Sequence, residues 1–433
     1  MPDLLALSAR IIDEGDTSVP VNRVTGEFSE LADGVGMVEA FSHVVAFRTD
    51  EGLVLFDTSV EGFGPVVRQR LLDEWAPGER VHTVVYTHGH VDHVGGAAAL
   101  VDAATAVVAH ENVPLRFARY DLTNGYNAAI NRRQFGRDMM QFFSDWVQPT
   151  LVYESVLDLS VGLLAMELRH GRGETDDHTW TWIPSHRAVC AGDFLIWAFP
   201  NAGNPQKVQR YPGEWARAMR DMAAMAPELY LPAHGLPIAG RERIAAVLDD
   251  VATALEGLVR DTLAMMNGGA RLDEIVATVR VPAHLLDKPY LRPTYDEPEF
   301  VVRNIWRLYG GWWDGDPSHL KPARPAVVAA ELAALAGGAQ RLAERAAELG
   351  TDGADDESMR VACQLVELAA SAADAAAEGP GGDASAARER ATVHAIRAEL
   401  YTRRRTTELS LMSRGIFKAA ADDSREISGY SAV

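Results

Sequence analysis

The chain has 433 residues, 47% of them hydrophobic and 24% charged, enough apolar surface for roughly two or three globular domains and too much for a disordered polymer. The formal net charge is −20, from 61 acidic and 41 basic residues, which argues against non-specific binding to nucleic acid and predicts no nucleic-acid partner. Two distant cysteines, Cys190 and Cys363, exclude a disulfide framework.

The first residues, "MPDLLALSARIIDEG", have no basic n-region, no long apolar core and no small-residue cleavage site. No run approaches the roughly eighteen apolar residues of a membrane span. The expectation is a soluble, cytoplasmic protein with no membrane partner. Between 35 and 250, short apolar strands alternate with amphipathic helices. "VVAFRT" (44–49) and "GLVLFDT" (52–58) read as strands paired around Asp50-Glu51-Gly52. "PVVRQRLLDEW" (65–75) has helical periodicity, "VHTVVYTH" (81–88) is a strand, and "GGAAALVDAA" (95–104) is read as a helix opened by glycines. A strand follows at 105–110. "HTWTWIP" (178–184) and "RAVCAGD" (187–193) form a hairpin across Ser185-His186, and "ELYLPAHG" (228–235) is a strand ending at a histidine. Beyond about 240 the pattern turns helical, with alanine-rich amphipathic segments after 326 and a break at "EGPGGDAS" (378–385). These changes divide the chain into domains at 1–245 and 246–433.

The densest chemistry lies in "YTHGHVDHVGG" (86–96), where His88, His90, Asp92 and His93 fall within six positions. His88 and His90 are two apart at a strand end and point to one side; Asp92 and His93 follow in the next turn. Two ligand pairs diverging from one loop suit two metal ions better than one. This H-x-H-x-D-H pattern resembles the metallo-β-lactamase superfamily, which implies an αββα sandwich with two metals at the strand ends. Four ligands do not complete two zinc shells. The 178–193 hairpin brings the residue entering its first strand, Glu174, close to the residue leaving its second, Asp193. A carboxylate at the apolar end of a strand is costly unless paired or metal-bound. His234 repeats the form of strand followed by ligand. Asp176, Asp177 and His178 crowd the loop of Glu174, and His178 competes with it for the first metal.

Most of the superfamily has histidine where this chain reads Gly173-Glu174-Thr175; glutamate there resembles one branch, the alkylsulfatases. "KPYLRPTYDEPEFVVRNIWRLYGGWWDGDPSHLKPA" (288–323) and "LSLMSRGIF" (409–417) are similar to that branch's all-α dimerisation domain. The resemblance covers about 35–420 and implies a homodimer joined through its helical part. It also implies metal one on His88, His90 and Glu174, metal two on Asp92, His93 and His234, and Asp193 bridging. Asp92 and Asp193 are then the catalytic carboxylates. The cofactor is Zn²⁺, two per chain, making hydroxide available at neutral pH between the ions. The expected function is hydrolysis of an alkyl sulfate ester, a small-molecule substrate. Hydrolysis of a thioester, lactone or phosphoester stands as the alternative, ahead of an iron oxygenase or a scaffold.

Three departures bear on the substrate. Asp193 stands where the branch carries glutamate. "NPQKVQR" (204–210) lacks the expected anion-binding arginine. The chain reaches 433 without the branch's sterol-carrier-like domain, so short or branched esters are expected over long detergents. With two divalent ions, three carboxylates and hydroxide, the site is about neutral, and an anionic ester needs help from cations. The candidates for holding substrate are Lys207, Arg210 and Arg132, with Tyr126 and Asn127 from the amide-rich stretch 119–136. The cluster Trp306, Tyr309, Trp312 and Trp313 reads as interface core.

Overall fold

Strands with apolar residues on both faces must be covered on both sides, and that requirement organises the first half of the chain. In the computed structural model, which describes residues 3–136 and 141–429, the first sheet has seven strands. They are β1 (Phe28–Ala32), β2 (Val35–Val38), β3 (Val44–Thr49), β4 (Gly52–Phe56), β5 (Val81–Val85), β6 (Ala106–His110) and β7 (Leu151–Tyr153), in that spatial order. Pairing is antiparallel from β1 to β4 and parallel from β4 to β7. The second sheet holds β8 (Val156–Val161), β9 (Leu164–His170), β10 (Thr179–Ile183), β11 (Ala188–Gly192), β12 (Leu229–Pro232) and β13 (Ile238–Ala239), in the order β13-β12-β11-β10-β9-β8. Only β11 and β12 pair in parallel in this sheet.

Alternation along the strands separates two cores. Val45, Phe47, Val54, Phe56, Val85 and Val108 of the first sheet share one core with Met166, Leu168 and Trp180 of the second. Their neighbours Val44, Ala46, Leu53, Leu55, Val84 and Val107 face the other way, against Val67, Leu71, Val94, Ala97 and Phe117 of the covering helices. Trp215 and Met219 of the helix Pro212–Ala224, and Val247, Leu248 and Val251 of the helix Arg241–Asn267, belong to the same core as the second sheet. The expected αββα sandwich is thus the observed one.

The segment 95–104 departs from its expected helix. A short helix, Val91–Val94, ends just before it, and within it stands a single 3₁₀ turn, Ala97–Ala99. A Cβ on Gly96 would lie 2.1 Å from the Thr58 carbonyl oxygen, so this glycine permits close backbone approach rather than opening a helix.

The chain divides by contact into one compact unit of Met1–Asn127 with Gln141–Trp312, and another of Ala128–Met140 with Trp313–Val433. The expected break near 245 therefore falls inside the first unit. The helix Arg241–Asn267 looks helical in sequence texture, yet it buries its apolar face in the sandwich core. In the second unit, helices Pro325–Ala336, Ala339–Leu349, Asp356–Glu378, Ala384–Thr407 and Leu411–Ser428 surround an alanine-rich core including Ala329, Ala343, Ala346, Ala362, Ala369 and Ala373. Gly337 and Gly338, at φ +91° and +125°, turn the first two of these helices 82° from one another. Among the described residues no single helix is long and apolar enough to cross a membrane.

Candidate metal centre

The strand ends β4, β5 and β11 supply the site, and each ligand candidate is held from behind. Asp57 follows β4 in the left-handed region, φ 61°, an unusual conformation for a residue with a Cβ. Its carboxylate accepts the Thr87 N–H at 2.7 Å and the Thr87 hydroxyl at 2.8 Å, which ends the β5 strand in a defined turn. The same carboxylate lies 2.7 Å from His93 Nδ1. A proton on Nδ1 there turns the lone pair of Nε2 toward the centre, the usual carboxylate–histidine support of a metal ligand.

A second brace comes from the loop before β10. Asp177 accepts the Gly89 N–H at 3.0 Å and Arg116 Nε–H at 2.7 Å, and Arg116 also pairs with Asp176. Burial would raise the Asp177 carboxyl, but the Arg116 guanidinium holds it below the usual carboxylate range. A Cβ on Gly89 would meet Arg116 Cδ at 2.9 Å and Asp177 Oδ2 at 3.0 Å, so a side chain in the turn between His88 and His90 would push this brace aside.

Two groups of side chains result. His88, His90, Glu174 and Asp193 form one, and Asp92, His93 and His234 the other; within each, the potential ligand atoms lie within 4.8 Å of one another. His88 Nε2 and His90 Nδ1 are 2.8 Å apart. Burial, then the neighbouring His93, pushes His88 well down; burial, then Arg210, does the same to His90, so both rings are neutral. Asp193 Oδ1 is 3.3 Å from His93 Nε2 and 3.6 Å from His234 Nε2, and Asp92 Oδ2 is 3.3 Å from His234 Nε2. Burial opposes charge on all of them, yet His93 and His234 carry the Asp193 carboxyl well below its ordinary range. The carboxylates in turn raise both histidines. His93 Nε2, Asp193 Oδ1 and Glu174 Oε2 are buried without a hydrogen-bond partner. Buried polar atoms left in this way are costly, and cations between the two groups would satisfy all three. The donor set of imidazoles and carboxylates fits zinc.

Between the competitors for the first group, the geometry separates Glu174 from His178. Glu174 lies with His88 and His90. His178 lies behind them, its ring 4.5 Å from that of His88 and stacked on Phe194 at 4.2 Å, with Nε2 accepting the Asp193 N–H at 3.2 Å. Burial presses its pKa down to about 3.

The expected substrate residues scatter. Arg210 is only 2% exposed, ion-paired with Glu174 Oε1 at 2.6 Å and donating to the Glu174 backbone carbonyl at 2.7 Å, so it is no free anion anchor. Asn127 spends its amide N–H groups on the Thr123 carbonyl and hydroxyl, capping the preceding helix. Tyr126 is 63% exposed, and Arg132 is exposed and belongs to the second compact unit. Lys207 is half-buried; burial lowers it to about 8 against the opposing pull of Asp92, a member of the second group. Burial, then the charge of Asp92, raises the Tyr295 hydroxyl. Asp57, Asp177 and Asn201 are supports that the motif does not reveal. Asp57 had a signal all the same, since it ends the apolar strand "GLVLFD" just as Asp193 ends "AVCAGD".

Residues 37–234 match the Metallo-beta-lactamase superfamily model, and residues 271–426 match the model for Alkyl sulfatase dimerisation. A linear primary-alkylsulfatase of Pseudomonas sp. (strain ATCC 19151) is 27% identical over 320 residues, 67% of this chain and 60% of that protein. An (R)-specific secondary-alkylsulfatase of Pseudomonas sp. is 24% identical, covering 69% of this chain and 50% of that one. The solved structure of the stereoselective inverting sec-alkylsulfatase Pisa1 from Pseudomonas sp. superposes with a TM-score of 0.76 at 20% identity, over 92% of this chain and 65% of that one. The chain thus spans between half and two thirds of the length of these relatives.

Proposed function

Because the chain belongs to the alkylsulfatase-like branch of the metallo-β-lactamase superfamily, we propose that it is a metal-dependent hydrolase of alkyl sulfate esters, with two zinc ions per chain. The observation that carries the reading is the pair of ligand groups, His88, His90, Glu174 and Asp193 beside Asp92, His93 and His234, with a half-buried lysine under the influence of Asp92. Zinc ions held there would supply Lewis acidity and hydroxide at neutral pH. Asp193 serves both groups, and Asp92 joins neutral His93 and His234 as a ligand of the second. Lys207 takes the sulfate group as a point charge. Water and ester give alcohol and sulfate, with one proton released to solvent.

Sulfate leaves readily when the C–O bond breaks, so no acid is needed on the alcohol oxygen; breaking S–O would leave an alkoxide that requires a proton. Hydrolysis of a panel of alkyl sulfates in heavy-oxygen water tests both substrate and bond. The expected result is turnover of short or branched sulfates with the label in the alcohol. Label in sulfate would overturn the C–O assignment, kcat/KM rising steadily to twelve-carbon chains would overturn the size preference, and turnover confined to thioesters, lactones or phosphoesters would replace the reading.

The protein is further proposed to be a homodimer. Val328, Leu332 and Leu335 lie along one side of the helix Pro325–Ala336, 42%, 38% and 85% exposed, and a solvent-facing apolar stripe of this kind favours a partner. Light scattering should return twice the chain mass at micromolar concentration; a monomer there would contradict the proposal.

A further inference from the structure

The arginine buried against Glu174 has a consequence for the metal centre. Arg210 Nη1 is ion-paired with Glu174 Oε1 and donates to the Glu174 carbonyl, Asn201 Nδ2 donates to the same Oε1, and Oε2 has no hydrogen-bond partner. Oε1, which also lies 3.9 Å from His90 Nδ1, is therefore held by the protein, and Oε2 is the oxygen without such a hold. Arg210 is 2% exposed, and Glu174 is its only ion-pair partner among the described residues, so its positive charge stays inside with the carboxylate.

The clamp is itself fixed from a distant stretch of the chain. Asn304 Nδ2 donates to the Ala202 carbonyl at 2.8 Å and to the Arg210 carbonyl at 2.9 Å. Asp296 accepts the Gly203 N–H at 2.6 Å. A Cβ on Gly203 would fall 2.2 Å from Val301 N, so the loop carrying Asn201 and Arg210 lies directly on the helix Pro298–Gly310. Asp296 and Asn304 lie within 271–426, the part matched to the dimerisation model.

We propose that Arg210 and Asn201 are positioning residues that make Glu174 a one-oxygen, charge-compensated ligand, so that the Glu174–Arg210 pair stands in the shell as a neutral donor does. The inference rests on the reading of Glu174 as a metal ligand. It changes the charge count of the centre drawn from sequence, because the negative charge that Glu174 brings is cancelled by a cation sealed beside it. It also explains why Arg210 is buried at all, since neither charge would be tolerated there without the other.

The test reads metal binding rather than turnover. Zinc affinities of the two sites are measured by competition with a chromophoric chelator, and folding by circular dichroism. Arg210→Met is expected to weaken one site about 10–100-fold and leave the other near native, the usual cost of removing a support behind a ligand. Arg210→Lys should restore part of that loss, since it keeps the charge but not the guanidinium geometry. Glu174→His should bind poorly because it strands Arg210, and Glu174→His with Arg210→Met should bind at least tenfold more tightly than Glu174→His alone. Native affinity at both sites in Arg210→Met, or no gain in the double variant, would overturn the clamp. If Arg210→Met does not fold, the comparison of Glu174→His with the double variant decides alone. Native affinity in Glu174→Gln would overturn the ligand reading and the clamp together. None of these readings depends on which ester is hydrolysed, so failure of the sulfatase proposal is seen separately.

Discussion

Asp193→Ala is expected to lower kcat/KM about 10²–10³-fold, a loss of about 3–4 kcal/mol of transition-state stabilisation. Asp193 belongs to the ligand group of His88, His90 and Glu174 and also lies 3.3 Å from His93 and 3.6 Å from His234, the two histidines of the other group. As the proposed bridge, its removal would take one donor from each side at once, and leave His93 and His234 with Asp92 as their remaining carboxylate toward the centre. Elemental analysis of protein purified without chelator should return about two zinc ions per chain for the native protein and fewer for the variant. Glu174→His should lose less of both, since only one group is touched and a ligand is kept, although the stranded Arg210 makes that exchange costlier than the sequence alone suggests. Near-native activity and metal content in Asp193→Ala would show that the carboxylate does not bridge. One tightly held iron in the native protein would remove the two-zinc reading itself.

What is legible in the sequence depends on whether the chemistry is local. His88, His90, Asp92 and His93 fall within six positions, so local chain geometry alone brings them to one place. Glu174 and Asp193 are nineteen positions apart but joined by a hairpin whose register, Thr181 opposite Cys190, returns the chain to its start. Strand pairing is a local signal, and it suffices. The grip of Arg210 on Glu174 is different. It depends on a loop pressed onto the helix Pro298–Gly310, and a lone arginine in "KVQRYPGEW" reads as a surface cation. The division into compact units is hidden for the same reason: a 27-residue helix looks alike whether its apolar side meets a sheet or other helices. The glycines after His93 mislead in the opposite sense, because a helix opening and a close backbone crossing require the same residue.

Lys207→Met is expected to lower kcat/KM for an alkyl sulfate about 10–100-fold, chiefly through KM, while sparing any activity on an uncharged ester. The size follows from the roughly 1.5–3 kcal/mol of a hydrogen bond to a charged group. The other cations named from sequence are spent elsewhere: Arg210 on Glu174, and Arg132 on an exposed position of the other unit. Burial holds the Lys207 ammonium down to about 8 from an ordinary 10.5, even with Asp92 drawing it upward. A lowered pKa means the cation is present below about pH 8 and lost as the pH rises through it, and nearby zinc ions would move that limit lower, not higher. The native kcat/KM for sulfate esters should therefore fall on the alkaline side at or below about pH 8, and the fall should be missing from the Lys207→Met profile. An alkaline limb that survives unchanged in the variant, or an equal loss on charged and uncharged esters, would show that the anion is held by another group.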